Sequence, residues 1–227
     1  MIAALFDADG TLYSAQYGRG MMKYAQSHGR RAHTLAYFAS LVPAALPSRL
    51  KFTDAEGFDR AKIARMSWLL RGWTAEQALR AFEWVTDEYL LPTRREHVVA
   101  RLQAHQASGQ LVLIASGTFT PSLQVLGQRL GVAELIGTGI EIRNGRYTGR
   151  ILPPVIKGAD KLAQIRKHLA QRAPDVDWEA SYAYGDSYSD RGFMQLVGHP
   201  VAVHPEDKLR ALAREQHWEI LESGAPS

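Results

Sequence analysis

The chain opens on an unbroken apolar run, Ile2-Ala3-Ala4-Leu5-Phe6, which ends at Asp7-Ala8-Asp9-Gly10-Thr11. A short apolar run bounded by a turn signal predicts a strand buried on both faces, as in a parallel sheet. Three later runs repeat the form. Leu111-Val112-Leu113-Ile114-Ala115 stops at Ser116-Gly117-Thr118, Ser181-Tyr182-Ala183-Tyr184 stops at Gly185-Asp186, and Pro200-Val201-Ala202-Val203 precedes a helix from Glu206. Between these runs the spacing is helical. Residues 94–108 carry Val98, Val99 and Leu102 on one face and end at Gly109. A helix is expected over residues 121–130, with Pro121 in its first turn, and a basic helix over residues 158–172. Asn144-Gly145, between two short segments, predicts a hairpin with a two-residue turn.

Residues 14–92 read differently, because nothing in them alternates like a strand. Helical stretches are expected at residues 21–25 and 35–46, the second broken by Pro43 and Pro47, with a turn at 52–54. Ile63, Met66, Leu69 and Leu70 continue at helical spacing towards a stop at Gly72. Thr74 and Gln77 have the spacing of a capping box, and Leu79, Phe82 and Val85 extend one face of the helix that follows. The Trp68, Trp73, Phe82 and Trp84 stripe reads as core. The expected architecture is α/β: a Rossmann-like, three-layer parallel sheet from residues 1–13 and 93–227, an all-helical cap inserted at 14–92, and a small β-hairpin. The last residues, 223–227, are expected to be loose.

Composition narrows the chemistry. The chain has 227 residues and no cysteine, so disulfides, thiolate metal sites and cysteine nucleophiles are excluded. The longest apolar stretch, 35–46, is too short to span a bilayer, and the amino terminus lacks the basic region of a signal peptide. A cytoplasmic location, as monomer or homodimer, is the expectation. The net charge of +4 lies in residues 14–92, which hold eleven Lys/Arg against seven Asp/Glu. Residues 14–53 contain no acid at all beside Arg19, Lys23, Arg30, Arg31, Arg49 and Lys51. Such a surface attracts an anionic substrate, or makes peripheral contact with an anionic membrane.

Open α/β sheets carry their chemistry beyond the carboxyl ends of the strands. Parallel βαβ units bring Asp7/Asp9, Ser116/Thr118 and Asp186/Asp190 to one edge. Carboxylates packed this closely repel one another unless a cation or a shared proton intervenes, and oxygen ligands suit a hard divalent ion such as magnesium. With a lysine, either Lys157 or Lys161, these residues suffice for phosphoryl transfer to an aspartate.

Asp7-Ala8-Asp9-Gly10-Thr11, Ser116, the lysine and Gly185-Asp186-Ser187-Tyr188-Ser189-Asp190 resemble the four motifs of the haloacid dehalogenase superfamily. The helical insertion and Asn144-Gly145-Arg146-Tyr147-Thr148-Gly149-Arg150 are similar to its phosphoserine-phosphatase-like branch. The resemblance implies a magnesium-dependent phosphomonoester hydrolase with Asp7 as nucleophile and Asp9 as general acid and then base. It implies magnesium held by Asp7, the Asp9 carbonyl and Asp186, with Asp190 in support, and phosphate oxygens held by Ser116, Gly117 and Thr118. Lys161, which leads a helical face with Ile165 and Leu169, fits the family's lysine better than Lys157. Arg65 resembles the cap arginine that binds a substrate carboxylate. One departure is Gln16, where phosphoserine phosphatases carry a glutamate for the substrate ammonium. That turns the expectation towards another small-molecule phosphate or a phospholipid phosphate. A nucleic-acid module finds no aromatic-basic interleaving to support it, and the eight histidines show no zinc-ligand spacing.

Overall fold

β1 (Ala3–Phe6) is buried along its whole length, and its side chains divide between two cores. Ala4 and Phe6 enter one, Ala3 and Leu5 the other, as in a strand sandwiched between helical layers. The computed structural model describes residues 1–49 and 55–222; the turn expected at 52–54 and the terminus at 223–227 lie outside them.

After β1 come α1 (Tyr17–Ser27), α2 (Arg31–Arg49), α3 (Ala55–Met66) and α4 (Ala75–Trp84). The α/β alternation then resumes with α5 (Glu96–Ala107), β2 (Leu111–Phe119), α6 (Thr120–Leu130), β3 (Glu134–Arg143) and β4 (Arg146–Leu152). It closes with α7 (Gly158–Arg172), β5 (Tyr182–Gly185), α8 (Arg191–Met194), β6 (His199–Val203), α9 (Asp207–Glu215) and β7 (Glu219–Leu221). The strands form one sheet in the order β4-β3-β2-β1-β5-β6-β7. Every neighbouring pair is parallel except the β3–β4 hairpin. Because β1 lies between β2 and β5, the chain leaves the centre of the sheet in both directions, and a crevice opens at that switch point.

Local chemistry accounts for most of the boundaries. Thr74 and Gln77 form the reciprocal capping box that starts α4. Asn144 and Gly145 both adopt positive φ, 49° and 71°, as a type I′ turn requires. Four details differ from the pattern. Trp68, expected in the core with Trp73, Phe82 and Trp84, is exposed, with the Arg71 guanidinium over its ring. α2 runs through Pro43 and Pro47 to Arg49: each proline withdraws one N–H donor, and their four-residue spacing puts both losses on one face. β2 continues through Ser116-Gly117-Thr118 to Phe119, with an irregular register against β3 between Ala115 and Phe119. Leu79 is exposed, because Ala78, Ala81 and Phe82 form the buried face of α4. Among the described residues no helix is long and apolar enough to cross a membrane.

Candidate active site

Three adjacent strands deliver the polar clusters. Asp7 follows β1, and its N–H is fixed by the Tyr184 carbonyl of β5 at 2.9 Å. Ser116, Gly117 and Thr118 lie within β2, and Asp186 follows β5. A short helical turn at Tyr188–Asp190, capped by Ser187, swings Asp190 back over the same point. Carboxylate oxygens of Asp7, Asp186 and Asp190 all lie within 4.8 Å of one another. All six residues, with Asp9 and Lys161, line one cavity of about 610 Å³.

Lys161, from the first turn of α7, joins the cluster as its buried cation. Its Nζ donates to Asp7 Oδ1 at 2.5 Å and to Asp190 Oδ1 at 2.7 Å, and it lies 4.9 Å from the Phe193 ring centre. The other Asp190 oxygen accepts from the Ser187 backbone and hydroxyl, at 3.3 and 2.8 Å. Lys157 also lines the cavity, but its Nζ is turned to Asp59, 3.7 Å away.

The electrostatics of this cluster are unbalanced. Three carboxylates face one ammonium. Lys161 holds Asp190 below the usual carboxylate range against the effect of burial. Burial and the neighbouring Asp190 push Asp7 up to about 7 in spite of Lys161. Burial and Asp7 push Asp186 up to about 8. For Lys161, burial opposes the charge, but Asp190 and Asp7 outweigh it and raise its pKa. Two carboxyls are thus left without compensation, which matches the charge of one divalent cation. The backbone is shaped to the cluster as well. Gly10 has a φ of 86°, and a Cβ there would collide with the Asp186 carboxylate. An all-oxygen donor set of this kind fits a hard divalent ion.

Asp9 stands at the edge of the cluster. Its Oδ1 accepts from the Tyr13 hydroxyl at 2.5 Å and from the Tyr17 N–H at 3.3 Å. Burial raises its pKa against those two hydrogen bonds. Ser116 is buried, with its hydroxyl 3.2 Å from both the N–H and the hydroxyl of Thr118.

Much of the remaining wall comes from the helical segment, with Arg19, Met22, Tyr37, Asp59, Lys62 and Met66 among its lining residues beside Ile63, while Arg95, Ile156 and Glu206 complete it. α3 presses close, since a Cβ on Gly117 would come within 2.8 Å of the Ile63 side chain. Arg60 of α3 joins the start of α7, bonding Asp160 and, at 2.9 Å, the Lys157 carbonyl. Gln16 also lines the cavity. Arg65 does not; its guanidinium donates to the Ser40 carbonyl, so the structure does not bring this expected substrate contact to the site. The helical spacing turns Ile63 and Met66 to the cavity instead. Two contributors carry little sequence signal. Tyr13 is marked only by lying four residues after Asp9, and Arg95, which donates to the Gly10 carbonyl at 3.1 Å, has no local cue.

A doubly wound sheet with an acidic, lysine-braced pocket at its switch point has the layout of an enzyme of the α/β class. The model of the haloacid dehalogenase-like hydrolases matches residues 4–195, and the chain belongs to that family. It is 28% identical over 222 residues to phosphoserine phosphatase SerB1 of Mycobacterium tuberculosis, covering 96% of this chain and 70% of that protein. It is 30% identical over 136 residues to a histidinol-phosphatase of Neisseria meningitidis, covering 59% of this chain and 61% of that one. Among solved structures, a protein of unknown function from Bordetella pertussis shares the fold, with a TM-score of 0.81 at 24% identity over 97% of this chain and 98% of its own.

Proposed function

We propose that the chain is a magnesium-dependent phosphomonoester hydrolase that works through an aspartyl-phosphate on Asp7. One observation carries this reading: Asp7, Asp186 and Asp190 meet around Lys161 at the carboxyl ends of neighbouring strands. Asp7, Asp186 and the backbone carbonyl of Asp9 would hold the ion, with Asp190 fixing Lys161 behind them. When bound, magnesium offsets the negative charge of Asp7 and phosphate and orients the two. The Asp7 carboxylate attacks phosphorus, and Lys161 and Ser116, with the Gly117 and Thr118 N–H groups, balance charge on the phosphoryl oxygens. Asp9 gives its proton to the leaving oxygen and then takes one from the water that releases phosphate.

The reading divides the chain into a core of residues 1–13 and 93–227 and a cap of residues 14–92. The two connecting segments run side by side, with the Ser14 N–H 3.0 Å from the Thr93 carbonyl, which favours a cap that moves as a unit. The cap wall offers Arg19 beside Met22, Tyr37, Ile63 and Met66, together with Lys62 and Asp59, which pair with each other at 2.5 Å. Because the one acid among the described residues of this wall is taken up by Lys62 and Lys157, and Gln16 is neutral, the wall favours an anionic or apolar leaving group over an amino acid bearing an ammonium. Small-molecule phosphates and phospholipid phosphates both fit that description.

Release of phosphate from p-nitrophenyl phosphate and from a panel of metabolite and lipid phosphates, with and without magnesium, tests the reading. Turnover that needs magnesium and disappears in Asp7→Asn is expected. Full activity in Asp7→Asn would exclude the covalent route.

A further inference from the structure

The Asp9 carboxyl is held from one side only. Oδ1 takes both of the hydrogen bonds it receives, from the Tyr13 hydroxyl and the Tyr17 N–H, while Oδ2 takes none among the described residues. Tyr13 is itself held on several sides. Its ring is buried, its carbonyl accepts from the Gly10 N–H at 2.9 Å, and its chain neighbours are tied across the bridge to Arg94, Ser14 N–H to the Thr93 carbonyl at 3.0 Å and Arg95 N–H to the Leu12 carbonyl at 2.8 Å. On the neighbouring strand the Ser116 hydroxyl donates to the Thr118 hydroxyl at 3.2 Å. The Tyr13 hydroxyl is thus the one side-chain donor to Asp9 among the described residues.

We propose that Tyr13 is a positioning residue: buried and fixed by its own backbone, it locks Asp9 Oδ1 so that Oδ2 alone carries and exchanges the catalytic proton. This inference rests on the phosphatase reading above and adds a role that reading does not contain. In the first step an Asp7 oxygen bonds to phosphorus as the bond from phosphorus to the leaving oxygen breaks. The leaving oxygen keeps that electron pair and takes the Oδ2 proton, so the alcohol departs neutral and Asp9 becomes a carboxylate. In the second step water bonds to phosphorus and gives a proton to Oδ2. The bond from phosphorus to Asp7 breaks, returning Asp7 and inorganic phosphate. A carboxyl free to rotate would present the wrong oxygen in either step, and small misplacement of a proton donor is costly.

The test compares two esters in Tyr13→Phe. A p-nitrophenolate leaves without a proton, whereas an alkyl alcohol such as that of β-glycerophosphate needs one. The expected loss in kcat/KM is about 100-fold for the alkyl ester, the scale of general acid catalysis, and under about threefold for the aryl ester. For the aryl ester kcat and KM should fall together by about tenfold or more, because the second step still needs Asp9 as base, and the phosphoenzyme should accumulate. A fluorotyrosine at position 13, which keeps the buried ring and makes its hydroxyl a stronger donor, should change the alkyl-ester rate by about threefold or more and leave kcat/KM for the aryl ester within about threefold. It decides the matter if Tyr13→Phe fails to fold. Equal losses on the two esters, or none, in the folded variant would overturn the proposal. Wild-type protein inactive on both esters would instead sink the phosphatase reading itself.

Discussion

The carboxyl rim of the sheet and the wall facing it are built on different principles. At the rim, charge is buried and over-determined. Lys161 is 3% exposed and bridges two carboxylates that are themselves nearly inaccessible. On the facing wall, α3 is tied to the start of α7 by Arg60, Asp59 and Lys157, whose side chains remain 27%, 37% and 22% exposed. Buried pairs cannot part without stranding a charge in a poor solvent, whereas exposed ones can trade partners for water. The rim is therefore fixed by buried charge, and the wall is tied to it through exposed pairs, which suits the proposed moving cap.

Changes at the rim should accordingly cost far more than changes at the wall. The largest effect is expected for Lys161→Met, which keeps the volume and strands Asp190. It should destabilise the protein by about 3–5 kcal/mol, read as a drop in melting temperature, and lower turnover at least about 100-fold. Gly10→Ala forces a side chain into positive φ and against Asp186. It should weaken magnesium binding about 10- to 100-fold, measured by calorimetry, with a smaller loss of stability.

A pH effect of intermediate size follows from the raised carboxyls. With Asp7 at about 7 and Asp186 at about 8, the metal-free folded state holds protons that the unfolded chain has released. Its stability should fall as pH rises from about 4 to about 8, because the unfolded state binds fewer protons throughout that window. Magnesium should restore most in the upper part of the window, and Asp186→Asn should flatten the profile. Melting curves with and without magnesium read both. Arg60→Ala, at the wall, should have the smallest effect: under about 1 kcal/mol in stability and a few-fold rise in KM that added salt reproduces in the wild type. A collapse of kcat in that variant would mean that the wall, too, belongs to the fixed machinery.

The same contrast explains what could be read from the sequence. Asp7, Ser116 and Asp186 each stand at or beside the end of an apolar run, so the strand pattern and the parallel topology together carry them to one edge. Lys161 leads a face with Ile165 and Leu169, which the helix buries against the sheet. The wall offers no such constraint. Arg65 sits on a helix whose rotation is set by packing against α2 and β4, and one step of about 100° separates it from Met66, which meets the cavity. Leu79 looked like core by type, yet the face that α4 buries is the one carrying Ala78, Ala81 and Phe82. β7 was hidden because three residues, Glu219–Leu221, are too few to show a period.

The central claim is that the Asp7 carboxylate captures phosphorus, and trapping the intermediate tests it most directly. The protein would be mixed with magnesium and a labelled phosphomonoester, quenched in acid within one turnover, digested and mapped by mass spectrometry. A phosphoryl group on the peptide containing Asp7, absent in Asp7→Asn, is the result the account predicts. Turnover with that peptide unmodified, or with the label on another residue, would contradict it.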